Sequence, residues 1–238
     1  MFFSKEACDV CGKEIRMGKR KLEDGMICKE CASKLSPFFS ERRQSTLAEI
    51  NDQLAYREAN KDAVAAFNVT RTLGTNTKVL LDEDARKFIV TSSNRWRDEN
   101  PDVMDYAQAT GCDIQVKEEK TEIKRENEDG TKESYNPPRY DIDYEVWVTI
   151  HVNSPWFSEI EFKTHSGDID RKDSPEFDSA QQIAQDIRTA LTDVRQSVRD
   201  EVVAANTPKT AVTCPHCNGS TIPDANGRCE WCGGSVLG

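Results

Sequence analysis

The chain has 238 residues and a formal net charge of −10, enough length for one medium domain and two small modules. No apolar run is long enough to cross a bilayer, and Phe2-Phe3, followed at once by Lys5 and Glu6, is too short for a secretory core, so membrane insertion and export are not expected. Eight of the nine cysteines stand in four Cys-x-x-Cys pairs, and in the cytoplasmic compartment this predicts, such pairs hold metal rather than disulfides.

The first two pairs are Cys8 and Cys11, then Cys28 and Cys31 after sixteen intervening residues. Four thiolates so spaced can surround one tetrahedral Zn²⁺. Gly12 permits the tight turn after the first pair. Lys21-Leu22 and Met26-Ile27 flank Glu23-Asp24-Gly25, a hairpin signal, and the second pair runs into a helix start. Knuckle, hairpin and knuckle on a helix resemble a treble-clef zinc finger over residues 1–36. That resemblance implies zinc binding and leaves nucleic-acid, protein and purely structural roles open. The hairpin carries Arg16, Lys19, Arg20 and Lys21. They read either as a phosphate-contacting tip or as a solvated loop offset by Glu14, Glu23 and Asp24, with no aromatic in the run to stack a base.

Residues 37–66 predict a helical connector. Thr46-x-x-Glu49 is a capping box, and Leu47, Ile50 and Leu54 form a narrow apolar stripe, with Arg42, Arg43, Asp52, Arg57 and Glu58 on the surface and a hinge near Asn60. From Phe67 the pattern turns to strands. Residues 78–81 and 87–90 form a hairpin, 92–102 a polar loop, and 103–109 a short element. Cys112, Ile114 and Val116 share one strand face, which makes Cys112 a core thiol rather than a nucleophile. The charged stretch 118–128 and the Asp129-Gly130 turn predict an exposed hairpin arm ending at Pro137-Pro138. Residues 140–152 alternate strictly, and Ile160, Phe162 and Thr164 continue a last strand. Ser174-Pro175 then starts a long helix whose apolar stripe runs from Phe177 through Ile187 and Leu191 to Val194, Val198 and Val202.

After a polar linker at 206–210 come Cys214, Cys217, Cys229 and Cys232, a second zinc-ligand set that resembles a rubredoxin-knuckle zinc ribbon. His216 inside it is a less apt ligand than the four cysteines, and Trp231 is expected to pack. Trp96 and Trp147 are the candidate partner-contacting aromatics. His151 and His165 have no Ser or Cys nucleophile beside them in sequence. Asp168, Asp170 and Asp173 lack the glycine and terminal glutamate of a calcium hand.

The fold class expected is α+β, an antiparallel β domain over 67–205 capped by a long C-terminal helix, flanked by two small four-cysteine zinc modules at 1–36 and 206–238. Six or seven strands and a final helix resemble a pleckstrin-homology (PH)-like domain. The whole layout resembles a group of uncharacterised bacterial and prophage proteins, which implies two structural Zn²⁺ and an adaptor-like role. Residues 67–205 hold 29 acidic and 18 basic residues, which opposes phosphoinositide and nucleic-acid binding there. Two readings follow. One is a cytosolic protein-interaction or regulatory adaptor without catalytic activity. The alternative is a nucleic-acid-associated regulator using the basic finger.

Overall fold

The computed structural model describes residues 6–127, 129–206, 211–223 and 227–236, with side chains of the last long helix described through Thr192. The chain divides into two compact units, Met1–Gln196 and Ser197–Gly238. The division falls within that helix. It is an α+β protein whose described strand pairings are all antiparallel.

The first unit begins with the finger. Strands β1 (Arg20–Lys21) and β2 (Met26–Ile27) pair antiparallel, closed by Leu22 N–H donating to Gly25 O at 2.9 Å. A Cβ at Gly25 would lie 2.7 Å from Asp9 Oδ2, which itself accepts from Met26 N–H at 2.7 Å, so a larger residue there would displace that carboxylate. Helix α1 (Lys29–Ala32) starts on Cys28 as its N-cap.

Helix α2 (Leu47–Ala66) opens on the expected capping box. Thr46 Oγ1 accepts from Glu49 N–H and Glu49 Oε2 accepts from Thr46 N–H at 2.7 Å. Asp24 of the finger turn adds a second cap, accepting Leu47 N–H at 2.7 Å. The helix is continuous through Asn60, so the expected hinge is absent. Its buried face is Ile50, Gln53, Arg57, Asn60 and Val64, a helical repeat with a polar centre. Ile50 joins the finger's apolar cluster of Leu22, Ile27 and Leu35, with Leu47 and Leu54 packed against it. Arg57, expected on the surface, is buried. Its Nη1 donates to Asp102 Oδ1 at 2.8 Å, its Nε to Lys34 O at 3.2 Å, and its Nη2 to Asn100 O. The correction has a physical cause: three of its guanidinium N–H groups find acceptors in segments on both sides of α2 in sequence.

Next come strands β3 (Arg71–Leu73), β4 (Lys78–Asp82) and β5 (Lys87–Thr91), the short helix α3 (Trp96–Glu99) and β6 (Met104–Asp105), in the sheet order β3-β4-β5-β6. A second sheet, β7-β8-β9, comprises β7 (Ala109–Glu126), β8 (Lys132–Val152) and β9 (Glu159–Lys163). Val146, Val148 and Ile150 of β8 are fully buried, as their alternation implies. Helix α4 (Pro175–Asn206) follows, with Ser174 Oγ accepting Phe177 N–H at 3.2 Å. Phe177, Ala180, Ala184, Ile187 and Leu191 of α4 are buried. Thr164 Oγ1 reaches Ala180 O at 3.0 Å, and the Tyr144 ring meets Phe177 edge-on at 6.0 Å. Val194, Val198 and Val202 lie outside the described side chains.

The arm is longer than expected. Strands β7 and β8 pair from Ala109 with Val152 out to Glu126 with Lys132, whereas β9 covers only 147–151 of β8. The partner of Ile123 is Arg139 and that of Lys124 is Ser134, so residues 135–138, including both prolines, bulge out of a strand that does not end there. In the second unit, β10 (Val212–Thr213) and β11 (Ser220–Thr221) pair antiparallel.

Candidate metal centres

Each predicted cysteine quartet comes together. Within Cys8, Cys11, Cys28 and Cys31, and within Cys214, Cys217, Cys229 and Cys232, the sulfurs all lie within 4.8 Å of one another. The Cys11 and Cys28 sulfurs are 3.8 Å apart, Cys214 and Cys232 3.6 Å, and Cys217 and Cys229 3.7 Å. A tetrahedron of four sulfurs around zinc, with bonds of about 2.3 Å, has edges of about 3.8 Å, whereas a disulfide is about 2.05 Å. The donor sets fit two structural zinc ions.

Three of the four pairs share one backbone solution. Cys8 N–H donates to Lys13 O and Gly12 N–H to Cys8 O; Cys214 N–H donates to Gly219 O and Asn218 N–H to Cys214 O; Cys229 N–H donates to Gly234 O and Gly233 N–H to Cys229 O. The residue after the second cysteine turns left-handed each time, with φ of 71° at Gly12, 54° at Asn218 and 69° at Gly233. In the third pair it is Asn218, rather than the following glycine, that takes this conformation. The pair Cys28 and Cys31 uses a helix start instead. Cys28 Sγ accepts from Cys31 N–H at 3.3 Å, and Cys28 N–H donates to Cys8 Sγ at 3.3 Å.

These donors shift the thiols. Burial opposes ionisation of Cys8, but the backbone N–H groups of Cys11, Cys28 and Val10 outweigh it and bring its pKa down to about 6. Against the same opposition, the Cys232 and Trp231 amides bring Cys229 to about 6. In each quartet these amide donors favour the thiolate, the form that binds metal. Cys8, Cys31, Cys214 and Cys229 are buried, Cys28 is half-buried, and Cys11, Cys217 and Cys232 are exposed. His216 is not drawn in. Its ring lies against Gly234, where a Cβ would stand 2.6 Å from Cδ2.

The remaining candidates are dispersed. Trp96 packs edge-on against Phe67 at 5.8 Å, with the Arg97 guanidinium 4.2 Å from its ring centroid, so it belongs to the cluster around Leu80 and Ile89 rather than to an open loop. Trp147 is half-buried beneath Lys117 Nζ at 4.1 Å and donates its indole N–H to Glu145 at 2.8 Å. Trp231, expected to pack, is 72% exposed; among the described residues of its small module the buried apolar side chains are those of Cys214 and Cys229, metal ligands that leave little core to receive it. His165 Nε2 accepts from Val146 N–H, so Nδ1 carries the proton given to Gly167 O at 2.7 Å. His151 sits between Asp113 at 2.9 Å and Glu159 at 3.4 Å. Of the finger cations, Lys19, Arg20 and Lys21 line a common groove with Arg42 and Arg43, two residues that sequence placed only on the surface, while Arg16 stands exposed apart from it. Among the described residues no helix is long and apolar enough to cross a membrane.

No curated protein and no solved structure matches the chain. A family model described as a domain of unknown function (DUF4428) matches residues 6–53, a span holding the whole first cysteine quartet, its hairpin and the opening turns of α2.

Proposed function

We propose that this is a cytosolic adaptor or regulatory protein without catalytic activity, in which zinc holds the small modules and the β region meets a protein partner. The observation that carries the reading is the β7–β8 arm. Beyond the reach of β9 it extends as a two-stranded ribbon, and the outer edge of β7 has no neighbour among the described strands. An open edge with alternating charged side chains offers both backbone hydrogen bonds and side-chain selectivity to an incoming strand. Trp147, framed by Lys117 and Lys163, lies at the base of the arm, where β9 ends.

Further support comes from the metal sites and the topology. Four sulfurs per site fill the zinc shell and leave no position for water or substrate. A four-stranded sheet, a three-stranded sheet and a closing helix follow the element order of PH-like domains, and the acidic excess of 67–205 favours a protein over a phosphoinositide. The layout's resemblance to bacterial and prophage proteins agrees with a scaffold role.

Photo-crosslinking in the native host tests the reading. A photoreactive residue at Glu122 on the arm should give a discrete protein adduct, whereas one at Asp52 on α2 should not. An adduct at Asp52 with none at Glu122 would place the partner elsewhere.

A further inference from the structure

The groove on the finger lies where β1 meets the 3-10 turn Arg42–Gln44. It measures about 700 Å³ and is lined by Lys19, Arg20, Lys21, Leu22, Arg42 and Arg43. Five of these six carry a full positive charge and none is a carboxylate. In a chain of net −10, such a concentration is not a by-product of overall basicity.

Specific contacts build the groove. Arg42 Nη1 donates to Lys21 O at 2.8 Å, and Glu23 N–H donates to Ser45 O at 3.0 Å, so the turn is fastened to the hairpin from both sides. Burial weakens the hold of Arg42 on its proton, and the charges of Arg20 and Arg43 weaken it further. The acids near it in sequence do not line the groove, exposed Glu23 beside Leu22 included. Asp24 caps α2, Asp9 holds Met26 N–H, and Glu41 lines a different groove with Phe38 and Trp156. Among the described residues, Lys19 alone of the five has a carboxylate partner, Glu6 at 2.9 Å.

We infer that this groove binds phosphoryl groups carried close together on one ligand, the chemistry shared by a free polyphosphate and a nucleic-acid backbone. A single carboxylate would offset one of five charges. Adjacent phosphates offset several and give each guanidinium a bidentate acceptor. No aromatic side chain lines the groove, so bases are not stacked and binding does not depend on base identity. The inference is independent of the protein-adaptor reading, which rests on the arm.

The test uses the full zinc-loaded chain. Binding of inorganic tripolyphosphate is followed by calorimetry, and of a fluorescent oligothymidylate by anisotropy. Zinc content is checked by native mass spectrometry after each titration. Arg42→Gln with Arg43→Gln should weaken binding by about tenfold or more, and should lower the salt slope for the oligonucleotide by about 1.4, the value for two lost single-strand phosphate contacts. Lys13→Gln with Arg16→Gln, the same charge change outside the groove, should leave both within about twofold. Arg20→Gln with Lys21→Gln repeats the groove test at exposed positions should loss of the Arg42 tether disturb folding. Binding of tripolyphosphate alone assigns a free polyphosphate, and binding of the oligonucleotide, displaceable by tripolyphosphate, assigns a backbone; either supports the inference. Equal weakening by the groove and control pairs, or no binding of either probe at about 50 mM salt, overturns it.

Discussion

Replacing Arg57 with leucine removes the pivot between the finger, α2 and the sheets. Arg57 is 7% exposed and Asp102 is fully buried, with 2.8 Å between Nη1 and Oδ1. The substitution strands the Asp102 carboxylate with the Ser36 hydroxyl, 2.7 Å away, and frees the carbonyls of Lys34 and Asn100. Breaking a buried pair from one side costs about 3–5 kcal/mol, a large part of a typical total stability of about 5–15 kcal/mol. Burial already raises the pKa of Asp102, opposed chiefly by Arg57. Without Arg57 it rises further. A folded-state value above the unfolded one of about 3.9 means the native state binds the proton more tightly, so stability increases as pH falls through that interval. The variant's deficit in urea unfolding, followed by tryptophan fluorescence, should therefore be largest well above the raised Asp102 pKa and shrink as the pH falls through it toward the unfolded value. Arg57→Leu combined with Asp102→Leu should recover most of it. A deficit below about 1 kcal/mol, or one that ignores pH, would refute the reasoning.

Native mass spectrometry of protein purified without added metal should show two zinc ions per chain. One ion or none would break the account of the quartets. Cys8→Ser with Cys11→Ser should abolish amide-exchange protection in residues 6–35 and in the opening turns of α2, because Ile50 and Leu47 pack on the finger cluster, while β4 and β5 keep theirs. Unchanged protection at the start of α2 would contradict that shared core. Thr46→Ala should cost about 1 kcal/mol through loss of the capping box, read from the unfolding midpoint. Burial pushes the Cys112 thiol up to about 11, so the zinc-loaded chain should resist iodoacetamide at neutral pH by intact mass. Rapid single alkylation at Cys112 would count against its place in the packed face.

What could be read from sequence is what local geometry dictates. Cys-x-x-Cys spacing constrains coordination within a few residues, Thr46 and Glu49 cap their own helix, and the alternation over 140–152 reports one buried face. Arg57 was illegible because its acceptors lie 23 to 45 residues away and no periodicity marks a long-range ion pair. The same distance hid Arg42 and Arg43 from the finger cations they join, 21 residues back along the chain at Lys21. Trp231 misled because burial was inferred from residue type, whereas a metal-built module has little interior to offer. The arm's bulge was read as a strand end because prolines usually stop pairing, and here the chain steps around them.

The uneven exposure of the cysteines sets an order of metal exchange. A chelator approaching the finger meets one open sulfur, Cys11, and must displace a metal still gripped by three less accessible ones. At the C-terminal quartet it meets two, Cys217 and Cys232, one from each pair, so both knuckles can be loosened from outside at once. A chelator titration followed by native mass spectrometry should therefore remove the C-terminal ion first and pass through a half-loaded form with the finger still assembled, and loss of both ions together would refute this order.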